Sequence, residues 1–85
     1  MSERLDARRL RLARLRWRCR RGMLENDLVL ARFLDTYAEN LTAEDVIALD
    51  SLLELSDNEL WALISGRSET AEDSVKPVLE RLRAL

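Results

Sequence analysis

Glycine and proline occupy only three positions in this 85-residue sequence, namely Gly22, Gly66 and Pro77. Because turns between strands depend on these residue types, so few of them leave little room for hairpins or for alternating strands and helices. Apolar residues make up 47% of the chain and charged residues 35%, a balance typical of a compact helical protein rather than a disordered one. The sequence therefore predicts an all-α fold that forms a single domain over residues 1–85.

Apolar residues recur at helical spacing in five stretches, which predicts a small five-helix bundle. The first helix is expected from about Glu3 to Arg20. Arginines interrupt its apolar stripe, so residues 1–14 are expected to be a helical extension that projects or frays. The second helix is expected from about residues 23–26 to residues 37–39. It carries the clearest core stripe, which is formed by Leu30, Phe33, Leu34, Tyr37 and Leu41.

Capping residues and helix breakers mark the remaining helix ends. Thr42 and Ser56 each precede an apolar stretch and have an acidic residue three positions later, as expected of a capping box. Gly66 is expected to end the fourth helix. Pro77 is tolerated only in a first helical turn, so the last helix is expected to begin at residues 73–74. The core positions predicted for these three helices are Val46, Leu49, Leu52, Leu53, Leu60, Trp61, Leu63, Ile64, Val75, Val78, Leu79, Leu82 and Leu85.

The net charge of −2 is the sum of two parts of opposite sign. Residues 1–22 hold nine arginines against two acidic residues, which gives +7, whereas residues 23–85 hold five basic and fourteen acidic groups, which gives −9. We expect the two parts to attract each other in the folded chain. The arginines also suggest an alternative function in nucleic-acid binding. However, they surround the whole helix and the rest of the chain is acidic, so nucleic acid is not the expected partner.

The inventory of reactive side chains is poor. The chain has no histidine and a single cysteine, Cys19, so it lacks a Ser/His or Cys/His pair, the usual zinc ligands and an intrachain disulfide. We expect that it is not an enzyme and that Cys19 packs as a small apolar group. No apolar run is long enough for a membrane span or a signal segment, and a cytoplasmic location is expected. The aromatic residues are expected in the core: Trp17, Phe33, Tyr37 and Trp61.

A dense basic run meets an acidic amphipathic helix at Gly22, within the segment W-R-C-R-R-G-M-L-E-N-D. One hypothesis is structural: Gly22 adopts a left-handed backbone that ends the first helix, and the nearby charges complement two helix ends. The other hypothesis is functional: the turn presents Arg21, the bare backbone of Gly22 and Glu25 together to another protein. The physical chemistry of the residues alone favours the structural hypothesis.

The same segment resembles the signature of a known family, the SdhE-type FAD assembly factors (flavinators) of succinate dehydrogenase. That signature is R-G-x-x-E, often within W-x-C-R-R-G-M-x-E-x-D, and it is matched here by Trp17, Cys19, Arg20, Arg21, Gly22, Met23, Glu25 and Asp27. The family's second block, L-L-E-x-x-D-x-x-L, is matched by Leu52, Leu53, Glu54, Asp57 and Leu60. The resemblance extends from about Leu15 to Gly66, and no motif is matched outside these residues.

The resemblance implies a helical bundle that binds the flavoprotein subunit of succinate dehydrogenase, or of the related fumarate reductase in some bacteria. It implies that the bundle promotes covalent attachment of FAD to a histidine of that subunit and keeps no cofactor stably itself. Gly22 would let the partner backbone approach, Arg21 would pair with a partner carboxylate or carbonyl, and Glu25 with a partner donor. The rim or support would be formed by Arg20, Met23 and Asp27. An antitoxin-type role, also linked to the family, is the alternative.

Overall fold

The protein is described by a computed structural model of residues 3–85, with side chains described for residue 7 and from residue 9 onward. Its five α-helices are α1 (Glu3–Arg18), α2 (Leu24–Tyr37), α3 (Ala43–Leu53), α4 (Asp57–Ile64) and α5 (Lys76–Arg83). Single 3₁₀ turns follow α2 at Ala38–Asn40 and precede α5 at Asp73–Val75. The predicted all-α five-helix fold is confirmed, and no strand occurs within residues 3–85. Met1 and Ser2, the start of the predicted extension, lie outside the described residues.

One cluster of buried apolar side chains joins the helices, and α2 provides two of the four described members that have no exposed surface. Leu30 and Phe33 have no exposed surface, and the Phe33 ring packs against Tyr37 with 5.1 Å between ring centroids. Burial of one such side chain contributes about 1.5–3 kcal/mol. The stripe predicted for α2 is therefore confirmed, although Tyr37 and Leu41 are only partly buried.

The predicted capping residues begin α3 and α4. The Thr42 hydroxyl accepts the Asp45 N–H at 3.0 Å and the Asp45 carboxylate accepts the Thr42 N–H at 3.1 Å, which completes a capping box. The Ser56 hydroxyl accepts the Glu59 N–H at 3.2 Å, whereas the reciprocal bond is not formed among the described contacts, so this second box is half complete. Gly66 has a φ of 84° just after α4, which confirms its predicted place at the helix end.

Two predicted core positions are wrong. Trp17 is 73% exposed, because it lies two positions from the buried Leu15 and therefore about 200° around α1 from the core side. Leu85 is 38% exposed, because α5 ends at Arg83 and the last residues leave the apolar stripe. No helix within residues 3–85 is both long enough and apolar enough to cross a membrane.

The expected attraction between the basic N-terminal part and the acidic remainder is realised as ion pairs. Two of them link α1 to α2 and α3 and involve half-exposed or exposed side chains, so each contributes only about 0–1 kcal/mol. The third lies beyond α1, reaches the start of α4 and is the most enclosed of the three. Among the side chains that the structure describes, the three pairs are Arg16–Asp35, Arg18–Asp50 and Arg21–Asp57.

Candidate functional site

The turn between α1 and α2 spans residues 19–23, and Gly22 sets its shape. The φ of Gly22 is 96°, which confirms the predicted left-handed backbone, a conformation that side chains disfavour. Because α1 ends at Arg18, two residues earlier than predicted, Gly22 lies beyond the capping position that the sequence assigned to it. A Cβ atom at Gly22 would have no atom within 4 Å, so the space beside this backbone is open.

Asp27, in the first turn of α2, holds the turn in place. Its Oδ1 accepts the Arg21 N–H at 2.7 Å and its Oδ2 accepts the Gly22 N–H at 3.3 Å. These two N–H groups therefore bond to a side chain and do not continue the hydrogen-bond ladder of α1, which explains the early end of that helix. Asp27 acts inside the molecule, as a support of the turn.

The Arg21 side chain reaches from the turn to the connection between α3 and α4. Its Nε donates to the Asp57 carboxylate at 2.6 Å, and its two Nη groups donate to the backbone carbonyls of Leu53 and Leu55. The side chain is only 16% exposed. The sequence predicted a carboxylate or carbonyl from a partner, but in the structure both kinds of acceptor come from the same chain. An Arg21–Glu25 pair is not formed among the described side chains.

Asn26 is a second link between the turn and α4, and it was not among the predicted site residues. Its side chain has no exposed surface, and its Nδ2 donates to the Asp57 carbonyl at 3.0 Å and lies 3.5 Å from the Met23 sulfur. Asp57 was also missed as a positioning residue, although it stands in the second sequence block. Its contacts with Arg21 and Asn26 show that the two blocks meet in the fold.

Glu25 differs from these residues because it has no partner within the described part of the chain. It is exposed in the first turn of α2, where its charge faces the positive end of the helix dipole. Arg20 is exposed and Met23 is half-buried. The six predicted site residues thus lie together in the α1–α2 turn and the first turn of α2, and they fall into two groups by orientation. Arg21 and Asp27 point into the molecule, whereas the surface is formed by Arg20, Gly22, Glu25 and part of Met23.

The α1–α2 turn carries hydrogen-bonding groups at its surface. Among the described residues, no group of three or more Cys, Asp or Glu side chains could hold a metal ion. The surface combines an open backbone segment with one unpaired carboxylate, which suits hydrogen bonding to another protein.

The thiol next to the turn is enclosed. Cys19 is 4% exposed, which confirms that it packs as an apolar group, and burial raises the pKa of its thiol to about 11 despite the nearby Arg18 and Arg21. Relative to the ordinary value of 9.0, the reactive thiolate is about a hundredfold scarcer at pH 8. We expect a chromogenic disulfide reagent to modify the folded protein at least about a hundredfold more slowly than the urea-unfolded chain. Equal rates would show that Cys19 is accessible.

Comparison with known proteins identifies the family of this chain. Residues 13–85 match a family model described as the flavinator of succinate dehydrogenase, so the match extends beyond the two sequence blocks to the last residue. The FAD assembly factor SdhE of Ralstonia nicotianae is 51% identical over 79 residues, which cover 88% of this chain and 83% of that protein.

Proteins with the same name from other bacteria are also similar. The protein from Legionella pneumophila is 41% identical over 78% of this chain and 84% of its own length. The protein from Shewanella oneidensis is 35% identical over 87% of this chain and 90% of its own length. No solved structure matches the chain. On the family model and these relatives together, the chain belongs to the family of succinate dehydrogenase flavinators.

Proposed function

We propose that this chain is an assembly factor that binds the flavoprotein subunit of succinate dehydrogenase and promotes covalent attachment of FAD to it. The observation that carries the proposal is that some motif residues at the α1–α2 turn bond within the chain, whereas others remain at the surface. Arg21 and Asp27 fix the turn from inside, and the Glu25 carboxylate and the Gly22 backbone remain available at its surface. A surface that is already ordered loses little conformational entropy when a partner binds.

Each surface residue has a role in the proposed complex. Gly22 lets the partner backbone approach closely, since no side chain stands in the open space beside it. Glu25 accepts a hydrogen bond from a partner donor, and Arg20 and Met23 form the rim. Arg21 acts indirectly, because its hydrogen bonds to Asp57, Leu53 and Leu55 hold the shape of the turn. The related flavoprotein of fumarate reductase belongs to the same proposal and is open to the same assay.

The chemistry is assigned to the partner. The chain has no histidine, and its single thiol is buried, so we infer that it is not an enzyme and keeps no cofactor of its own. The covalent bond to FAD then forms at the histidine of the flavoprotein. The assembly factor accelerates the step by favouring a partner conformation in which that histidine and the flavin are aligned.

The placement of the chain completes the proposal. Residues 1–85 act as one domain, which is supported by the single buried cluster shared by the helices. The start of α1 is proposed to project from this domain, which is supported by the exposure of Arg9, Leu10 and Arg11. Leu12 packs against the buried cluster, so the helix joins the domain from that residue onward. The protein works in the cytoplasm, and its free thiol suits a reducing compartment.

A nucleic-acid-binding or antitoxin-type module is not favoured. Three of the arginines in residues 9–21 are already paired with aspartates of the same chain, which reduces the positive field that would attract phosphates. The family to which the chain belongs is named for flavinylation.

A reconstituted reaction tests the proposal. Apo-flavoprotein and FAD are incubated with and without the protein, and covalent flavin is followed by in-gel fluorescence. We expect faster flavinylation with the protein present. Glu25→Ala should lower that rate at least tenfold at limiting protein concentration, because a charged hydrogen bond at an interface is worth at least about 1.4 kcal/mol. Equal rates with and without the wild-type protein would contradict the proposal.

Glu44→Ala provides the matched control. Glu44 occupies the second position of α3, as Glu25 does in α2, and it is also exposed. Removal of either carboxylate therefore has the same small effect on a helix dipole. Both variants should melt at nearly the same temperature, and only Glu25→Ala should slow flavinylation.

A further inference from the structure

A groove between α2 and α4 carries apolar surface that nothing else in the described chain covers. It has a volume of about 290 Å³ and is lined by Glu25, Leu28, Val29, Arg32 and Trp61, which together we name the α2–α4 groove. Leu28 is 59% exposed, and Leu24, one helical turn before it, is 64% exposed. Trp61 is half-buried, so part of its ring surface faces the groove and solvent.

The grouping of these side chains matters more than the exposure of any one. Single apolar residues at a protein surface are common and need no explanation. Here two leucines four positions apart on α2 are neighbours on the helix surface, and Leu28 shares a groove with a tryptophan. Exposed apolar patches of this kind mark interaction sites, and half-buried tryptophans often anchor them.

The two ends of the groove carry opposite charges. Glu25 and Arg32 are seven positions apart, so they lie on the same side of α2 and about 10 Å apart along its axis. Neither side chain has an ion-pair partner among the described residues. A complementary occupant therefore has an apolar side chain between a basic group, which meets Glu25, and an acidic group, which meets Arg32.

We propose that the α2–α4 groove is the second part of the docking surface and binds such an amphipathic segment of the same flavoprotein. This inference rests on the proposed function. Its basis is continuity: Glu25 lines the groove and also belongs to the surface of the α1–α2 turn, so a partner that reaches Glu25 lies at the mouth of the groove. A polyanion such as nucleic acid or an anionic bilayer does not fit, because the rim is acidic at one end.

Leu28→Asp tests the groove, with Ile47→Asp as the matched control. Ile47 lies on α3, is 65% exposed and does not line the groove, so both changes place a carboxylate on an exposed helical position. Both variants should keep the wild-type melting temperature. The dissociation constant for apo-flavoprotein should rise at least tenfold for Leu28→Asp and change less than about twofold for Ile47→Asp.

Arg32→Glu provides a second measurement that keeps the apolar wall intact. It reverses one end of the groove, and we expect the dissociation constant for the flavoprotein to rise at least about fivefold. Normal binding by Leu28→Asp and Arg32→Glu, with weakened binding by Glu25→Ala, would overturn the groove assignment and leave the proposed function standing. Absence of flavoprotein binding by the wild-type protein would overturn both. A dimer that Leu28→Asp abolishes, with normal flavoprotein binding, would assign the groove to a second copy of the chain and overturn our proposal.

Discussion

Arg21→Ala is expected to lower the free energy of unfolding by about 2–3 kcal/mol, the largest loss of stability from any single change in the α1–α2 turn. The guanidinium donates to Asp57 and to the carbonyls of Leu53 and Leu55, and its removal leaves all three part-buried acceptors without this donor. For a domain of this size, the melting temperature should fall by at least about 10 °C, as measured by far-UV circular dichroism. The rate of flavinylation in the presence of this variant should also fall, because the turn loses its support.

Two further variants separate the geometry of Arg21 from its charge. Arg21→Lys keeps the positive charge, but a single ammonium group cannot reach acceptors that lie around a planar fork, so an intermediate loss of stability is expected. Arg20→Ala removes an exposed neighbour that has no described acid partner, and its melting temperature should stay within about 2 °C of the wild-type value. A wild-type melting temperature for Arg21→Ala would show that the contacts of this side chain do not hold α4 to the turn.

The helices could be predicted from the sequence because their signals are local. In α2, the spacing of Leu30, Phe33 and Leu34 repeats with the period of the helix, and the same residues are buried in the fold. The capping side chains of Thr42 and Ser56 act within three residues of themselves. Trp17 could not be placed in the same way. Its exposure depends on the side that α1 turns toward the other helices, which is a tertiary property.

The candidate site could be predicted only in part, for a similar reason. Gly22 and Glu25 stand in one contiguous motif, and the backbone of Gly22 is as expected. The carboxylate that accepts from Arg21 belongs to Asp57, which is 36 residues away, and no local sequence pattern predicts that pairing. Asn26 is fully buried, although the polar sequence at the start of α2 predicts an exposed position. The contact that accompanies its burial, a hydrogen bond from its amide nitrogen to the Asp57 carbonyl, is a tertiary one.

The structural and functional hypotheses for this segment are therefore complementary. Arg21, the Asn26 amide nitrogen and Asp27 form hydrogen bonds within the chain, and these bonds define the turn. Glu25 has no such contact among the described residues, and its carboxylate supports the fold only through the small favourable effect on the dipole of α2. On the proposed function, the motif holds structural and recognition residues side by side. Variants of the structural residues should then lower stability, whereas variants of the recognition residues should weaken binding.

Gly22→Val should separate recognition from stability most sharply, because the chain contains a matched position. Gly22 and Gly66 both have positive φ, at 96° and 84°, and a Cβ at either would meet no atom within 4 Å. Valine at either position should therefore cost about 1–2 kcal/mol of backbone strain. The melting temperatures of the two variants should fall to the same extent. Gly66 follows α4 and lies outside the α1–α2 turn.

Binding should distinguish the two variants even though their stabilities match. At Gly22 the new side chain fills the open space in which the partner backbone is proposed to lie, so the dissociation constant for apo-flavoprotein should rise at least about tenfold. Gly66→Val should bind within about twofold of the wild-type protein, once both are measured below their melting transitions. If Gly22→Val bound as tightly as Gly66→Val, the open space beside the turn would not be a contact site. The glycine would then serve only the backbone conformation that Asp27 holds in place.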